Sequence, residues 1–455
     1  MRKALLLLLL ALVAQPAWAD ADATLRQALT DGDAPHVEAA LAAGAGPNRR
    51  GDFGASPLAL AVYSQNPDLV AALLKAGGHP DLADIDGVTP LGLACELGNG
   101  ETVGRLLDAH AGLAATRADG VTPLAICARF AGAETVARML AMGAAADPVD
   151  ARGQTPLMWA ASADHADSVT ALLRAGADAN RRSTGGFTPL AFAIKSGRTD
   201  ALRALLAAGA REDWRGPENT SALQLALYQK AWAAAGLILS RMADARPALA
   251  ERDREGRLPL HVVAAAGDES LVAQMLAHGA DANALTGPSR ITWVTEANFG
   301  IAPPPVPPTP ALLIAAAHGH AGAMKLLLAA GADPHFVAAD GTNVVLAATR
   351  GGSVAALEMA LTIAPDANVA DAMGTTPLHI LAGGLATSVP HEQRLAMLRL
   401  LAAHGARADI PNRPAGFGEK GATVRTPQTA AQVAADGVTE VRADFEAVFP
   451  PAPHS

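Results

Sequence analysis

The chain is expected to fold as an all-α repeat solenoid, and three observations lead there. The first is a dipeptide that returns every 33 residues: Ser56-Pro57, Thr89-Pro90, Thr122-Pro123, Thr155-Pro156 and Thr188-Pro189, with Ser221-Ala222 at the same interval. A fixed period in this range marks a stacked array rather than a globular enzyme. The second is a leucine pair followed by a Gly-Ala-Asp-x-Asn run, as in Leu172-Leu173 and Gly176-Ala177-Asp178-Ala179-Asn180. The third is composition: 50% of residues are hydrophobic but only 4% are aromatic, which suits small helices packed through alanine and leucine.

Each position of the period has a physical reason. A Thr or Ser hydroxyl caps a helix N-terminus, and Pro is pre-organised for the first helical position, where its missing N–H costs nothing. Each dipeptide therefore starts a helix. The glycine nine residues later, as at Gly98, Gly197 and Gly267, permits the backbone turn that ends it. A second helix carrying the leucine pair packs back on the first and ends at the next glycine, as at Gly143, Gly176, Gly209, Gly279 and Gly331. The Asp/Asn/Gly run beyond suits a tight turn in a protruding finger. One such unit cannot bury its apolar face alone, so neighbours must stack.

After three interruptions the lattice resumes at Leu258-Pro259, Pro310-Ala311, Asn343-Val344, Thr376-Pro377 and Thr426-Pro427. The fullest copy reads Leu258-Pro259-Leu260-His261-Val262-Val263-Ala264. This resembles the ankyrin repeat, whose signature includes Thr-Pro-Leu-His-x-Ala in a 33-residue unit. The resemblance runs from about residue 24 to about residue 436, with the motif histidine kept only at His261 and His379. It implies about twelve units in one body spanning 20–449, with a tail at 450–455. The last unit, from Thr426 through Phe449, is expected to cap the stack with Phe445 and Phe449.

Residues 1–19 read as a secretory signal peptide: Arg2 and Lys3, an apolar run from Ala4 to Ala14, then Ala17-Trp18-Ala19 before a cleavage point at Asp20. The apolar run is shorter than the roughly 20 residues that span a bilayer. High Ala and Arg with little Lys suggests a GC-rich bacterial genome, so the expected location is periplasmic or secreted. Loss of Arg2 and Lys3 takes the net charge from −9 to −11, which disfavours a nucleic-acid partner. No membrane insertion after cleavage and a monomeric state are expected. Cys95 and Cys127 sit on the first helices of adjacent units; the reading taken is two small buried residues at alanine positions, a disulfide needing unusual geometry.

Motifs for catalysis, cofactors and metals yield nothing that survives inspection. Gly416-Phe417-Gly418-Glu419-Lys420-Gly421 matches a dinucleotide string, but Pro411 and Pro414 stand where a buried strand is needed. His391-Glu392 opens a zincin string that ends at Leu395 instead of histidine. His318-Gly319-His320 lies at a helix-ending glycine, and Asp81, Asp84 and Asp86 lack calcium-loop spacing. No catalytic residue, cofactor or metal is therefore assigned, and the expected function is recognition of a protein partner.

The resemblance implies binding through the concave face formed by fingers and first helices. Two insertions extend that expectation, at 284–308 and 411–425. The first carries Trp293 and Phe299 ahead of Pro303-Pro304-Pro305-Val306-Pro307-Pro308, a run suited to a stiff extended arm. These aromatics anchor a partner, fold back over the repeats or lie in a disordered loop. The second insertion presents Phe417, three units further on, so the two could clamp a partner about 30 Å across at about 10 Å per layer. Trp214, among Arg211, Glu212, Asp213 and Arg215, is a further surface candidate. Trp159 and Phe192 occupy the position of Leu93, Ile126 and Leu225 and are read mainly as packing between units. The alternative function is a ligand- or metal-handling accessory of a periplasmic redox enzyme, through a pocket at the Trp293 finger.

Overall fold

A computed structural model describes residues 17–289, 307–383, 388–413 and 426–451. Among them the chain is helical, with three isolated β-bridges and no strand. It divides into two compact units, one ending at Ala234 and one beginning at Ala235.

In the first unit the dipeptides do start helices: Pro57–Tyr63, Pro90–Glu96, Pro123–Phe130, Pro156–Ser162, Pro189–Ser196 and, without proline, Ala222–Tyr228. The Ser56, Thr89, Thr122 and Thr155 hydroxyls accept from the backbone amide three residues on, and Ser221 forms a reciprocal capping box with Gln224. Thr188 makes no such bond. Each first helix is followed by a second, from Pro67–Lys75 to Asp200–Ala207, and packs on the first helix of the next repeat; the second helices stack likewise. A leading pair, Ala17–Asp31 and Ala34–Ala42, precedes them. The buried Asp22 closes this pair by accepting from the Gly46 amide (2.7 Å) and pairing with Arg49 (2.6 Å).

The turn that ends most first helices is left-handed whether or not glycine occupies it; in the first unit the exception is Ala131 (φ −108°), after which Gly132 takes the positive φ of 87° one residue later. Gly98 and Gly197 have φ of 68° and 74°, and Gln65, Asp164 and Lys230 adopt 56°, 61° and 54° at the same repeat position. The stacked geometry thus imposes a conformation that non-glycine residues seldom adopt.

The second unit repeats the design with Pro259–Ala266, Ala311–Ala317, Val344–Arg350, Pro377–Ala382 and Ala430–Ala435 as first helices. The two insertions leave the register intact because their bases are closed. Leu285 bridges Pro310, and the Thr286 amide donates to the Thr309 carbonyl (3.1 Å); Pro411 bridges Thr429, and the Asn412 amide donates to the Gln428 carbonyl (2.9 Å). The last first helix starts three residues later than expected. Thr429, not Thr426, caps it, because only Thr429 has Gln432 placed to close a capping box. Phe445 is buried against Phe449, with ring centroids 5.2 Å apart. Beside it the buried Arg394 is bonded to Asp444 and Glu440, and His391 approaches Asp444 at 2.7 Å.

Two kinds of hydrogen bond join one repeat to the next. The Asn of the Gly-Ala-Asp-x-Asn run reaches forward with both ends of its amide. Asn180 donates to the Gly209 carbonyl (3.2 Å) and accepts from the Arg211 amide (2.9 Å); Asn283 does the same to Gly331 and Asp333, and Asn368 to Gly405 and Arg407. The Asp of the run turns the chain by accepting from the Asn amide, as Asp178 does from Asn180 (2.8 Å). Finger backbones also bond directly, for example Ala151 N–H to the Asp119 carbonyl and Thr184 N–H to the Arg152 carbonyl, both 2.9 Å. Where the Asn is replaced by Asp147, burial raises the carboxyl's pKa, offset in part by Arg181 at 3.1 Å.

The two motif histidines add a third link. His261 accepts through Nδ1 from the Leu258 amide and donates through Nε2 to the Ala284 carbonyl (2.8 Å); His379 links Thr376 to the Gln428 carbonyl (3.0 Å). Burial lowers both pKa values from the ordinary 6.5. Depressed folded-state values mean that the unfolded chain takes up more protons, so stability is complete above pH 6.5 and is lost as pH falls below it. Thermal unfolding followed between pH 8 and pH 5 should show a steeper fall in Tm for the native chain than for a His261→Gln/His379→Gln variant. Equal slopes would remove the histidines from this dependence.

The cysteines correct the sequence expectation. Cys95 and Cys127, both fully buried, form a disulfide across adjacent first helices with Cα atoms 4.6 Å apart. The expectation of unpaired thiols compared an axis separation of about 8–10 Å with a Cα limit. Each Cα stands about 2.3 Å off its axis, so residues facing one another approach to roughly 3.5–5.5 Å. Closing a loop with a sequence separation of 32 contributes about 3–4 kcal/mol in the chain-entropy account. Chemical denaturation with and without a reductant should show a loss of that order, and the Cys95→Ala/Cys127→Ala variant should be insensitive to reductant.

Candidate functional site

The side chains four and seven positions after each cap lie on one face of every first helix, because 3.6 residues make a turn. In the first unit position four carries Leu60, Leu93, Ile126, Trp159, Phe192 and Leu225, and position seven Tyr63, Glu96, Arg129, Ser162, Lys195 and Tyr228. In the second unit the same positions hold Val262, Ile314, Ala347 and Ile380, with Ala265, Ala317, Arg350 and Gly383. Among the described residues, large aromatics and cations without a carboxylate partner thus concentrate on the first-helix face of the first unit.

Trp159 and Phe192 are half-buried, as are Leu60 and Leu93 at the same position, so each ring packs between repeats and keeps one edge accessible. The indole N–H of Trp159 is buried without a hydrogen-bond partner among the described residues, a cost of about 1–3 kcal/mol that the leucines of sister repeats avoid. The ring buries more apolar surface than a leucine would, so this cost is offset in part. The exposed Arg129 holds its guanidinium carbon 5.5 Å from the Trp159 ring centre and 5.2 Å from that of Phe130, itself 45% exposed. Lys195 places Nζ 5.1 Å from the Phe187 ring. Such cation–π contacts fix long side chains that would otherwise wander. Glu96 and Arg350 at the same position pair with Arg117 (3.8 Å) and Asp371 (3.0 Å). Arg129 and Lys195 pair with no carboxylate among the described residues.

Trp214 is not a surface residue. It is 4% exposed, its Nε1 donates to the Gly186 carbonyl (3.1 Å), and its ring lies 6.0 Å from Phe187. A Cβ on Gly216 would come within 2.5 Å of the indole, so the finger closes over the ring and leaves its charged neighbours outside. Trp293, Phe299 and Phe417 lie outside the described residues. The finger tips supply exposed side chains that the sequence did not single out: Phe53 at 82% and Ile85 at 68%, joined through the Ile85 amide and the Phe53 carbonyl.

His391, Glu440 and Asp444 lie close enough to share an ion, but Arg394 is bonded to both carboxylates and supplies the positive charge there. His320 is engaged with the Ala265 carbonyl (3.1 Å) and His318 with that of Ile314 (2.9 Å). Among the described residues no helix is long and apolar enough to cross a membrane.

Family models for ankyrin repeats in three copies match residues 25–116, 99–183, 124–215 and 312–412, and a single-repeat model matches 255–287. The chain belongs to the ankyrin-repeat family. Members of this ankyrin-repeat group typically serve as protein-interaction modules without catalysis. Among solved structures, the chain is similar to the ankyrin repeat domain of Bcl-3, described as a unique member of the IkappaB protein family. There the identity is 29%, with 44% of this chain and 92% of that one covered and a TM-score of 0.39. It is also similar to the human ASB11 ankyrin repeat domain, at 25% identity, with 48% and 97% covered and a TM-score of 0.42. A search of curated proteins gives no match.

If the ankyrin stack does not need the Trp159 indole, Trp159→Leu, which restores the aliphatic residue of sister repeats, should cost less than about 1 kcal/mol, whereas a fully buried tryptophan cut back to alanine typically costs about 3–5 kcal/mol. Urea unfolding of the full chain measures this; a loss near 3 kcal/mol would make the residue part of the core.

Proposed function

We propose that this ankyrin-repeat protein is a non-catalytic scaffold, exported to the periplasm, that holds a protein partner on the first-helix face of its first unit. The observation that carries the reading is the partly exposed aromatic pair Trp159 and Phe192, flanked by ring-seated cations, on a face whose sister repeats manage with aliphatic residues. Aromatics and arginine are the residues that most often dominate binding energy at protein interfaces. Stacked helices fix these side chains before the partner arrives, so little ordering entropy is lost on binding.

Export is supported by the signal-peptide pattern of residues 1–19 and by the buried Cys95–Cys127 disulfide, a bond that persists in oxidising compartments and is rare in reducing ones. The enlarged fingers bearing Trp293, Phe299 and Phe417 are proposed to extend the same binding surface.

Affinity capture from periplasmic extract, with the full chain as bait and mass spectrometry as readout, tests this. A partner retained by the native chain should be lost by a Trp159→Ala/Phe192→Ala variant of matched stability. Retention by that variant would move the site off the first-helix face, and capture lost only on replacing Trp293, Phe299 and Phe417 would place it on the enlarged fingers.

A further inference from the structure

We propose that the first-helix face of the first unit takes an extended acidic segment, with two carboxylates about six residues apart read by Arg129 and Lys195 and the apolar residues between them lying on Trp159 and Phe192. The inference rests on the partner-binding reading of that face and adds the chemistry of what it binds.

Arg129 and Lys195 occupy the same repeat position two repeats apart. Neighbouring first helices pack at about 8–10 Å, which sets the two cations roughly 20 Å apart. An extended chain rises about 3.3 Å per residue, so two side chains six residues apart span that distance. Between the cations the face offers Trp159, Ser162 and Phe192, two apolar rings and a hydroxyl.

Charge complementarity selects the occupant. Both cations lie against aromatic rings and pair with no carboxylate among the described residues, so they are held in place with their charge available. A guanidinium favours a planar carboxylate through paired N–H donors. One repeat before Arg129 the same position is the exposed Glu96, which disfavours a third carboxylate beyond the Arg129 end and so sets where the acidic segment stops. With a chain net charge of −9, a polyanion such as a nucleic acid is repelled overall, whereas a short segment with two acids meets only the local cations.

Selection from a displayed library of random twelve-residue peptides, with the full chain as target, tests the proposal. Peptides enriched on the native chain should carry Asp or Glu pairs five to seven residues apart with apolar residues between. A synthetic copy of one should bind an Arg129→Gln/Lys195→Gln variant at least tenfold more weakly by fluorescence anisotropy, with unchanged thermal stability of the variant. Enriched peptides without acidic pairs, equal affinity for the charge variant, or no enrichment at all would overturn the acidic-segment proposal. If peptides lacking acidic pairs still lose binding to the Trp159→Ala/Phe192→Ala variant, the partner-binding reading stands with a different ligand chemistry.

Discussion

The two-ended bond from an Asn side chain to the next repeat is the interaction on which the rest of the structure depends. Asn180, Asn283 and Asn368 each satisfy one carbonyl and one amide of the following turn, where a finger leaves its second helix and no regular ladder serves those groups. These groups lie at the exposed edge of the stack, so the bonds act by fixing the alignment of one turn on the next rather than by satisfying buried polar groups. With them paired, and with finger backbones bonded one to the next, the repeats that carry the Asn are tied to the repeats that follow them. Asn283 makes the point most clearly, since its bonds reach 48 and 50 residues along the chain, across the large insertion. Closing the insertion's base at Leu285 and Pro310 lets the stack continue as though it were absent.

These ties leave other positions free to vary. The fourth and seventh positions of the first helices do not take part in the Asn bridges or the finger bonds, so leucine, tryptophan, glutamate or lysine can stand there without altering the register. Their variation is therefore the place where one ankyrin stack differs chemically from another. In this protein the difference falls in the first unit, between Arg129 and Lys195. The disulfide lies just behind this face, on the buried side of the helices Pro90–Glu96 and Pro123–Phe130, the second of which carries Arg129. It ties the two repeats that precede Trp159.

Most of the fold was legible because the determinants are local and repeated. Thr-Pro places a hydroxyl and a fixed φ at each helix start, and the Asp and Asn of the finger act on backbone groups a fixed number of residues away. What escaped the sequence depended on distances across the stack. The Cys95–Cys127 bond follows from how closely facing side chains approach between helix axes, a quantity the period does not contain. Trp214 stands among charges in the sequence, yet its indole meets the Gly186 carbonyl from the neighbouring finger. The last repeat begins at Thr429 because Gln432 completes its cap, a side-chain pairing that outweighs the proline at position 427. On the first-helix face, Trp159 and Phe192 read in the sequence mainly as packing, since an aromatic at an aliphatic position is the usual sign of core. Arg129 and Lys195 would have shown in a repeat-by-repeat alignment of the seventh position, as the only basic residues there in the first unit.

The measurement that tests the central claim most directly is hydroxyl-radical footprinting of the full chain with and without the captured partner, read at individual aromatic side chains. The account predicts that Trp159, Phe192 and Phe130 become protected while the buried Trp214 stays unreactive in both states. Unchanged reactivity at Trp159 and Phe192, with protection confined to Trp293, Phe299 or Phe417, would contradict it.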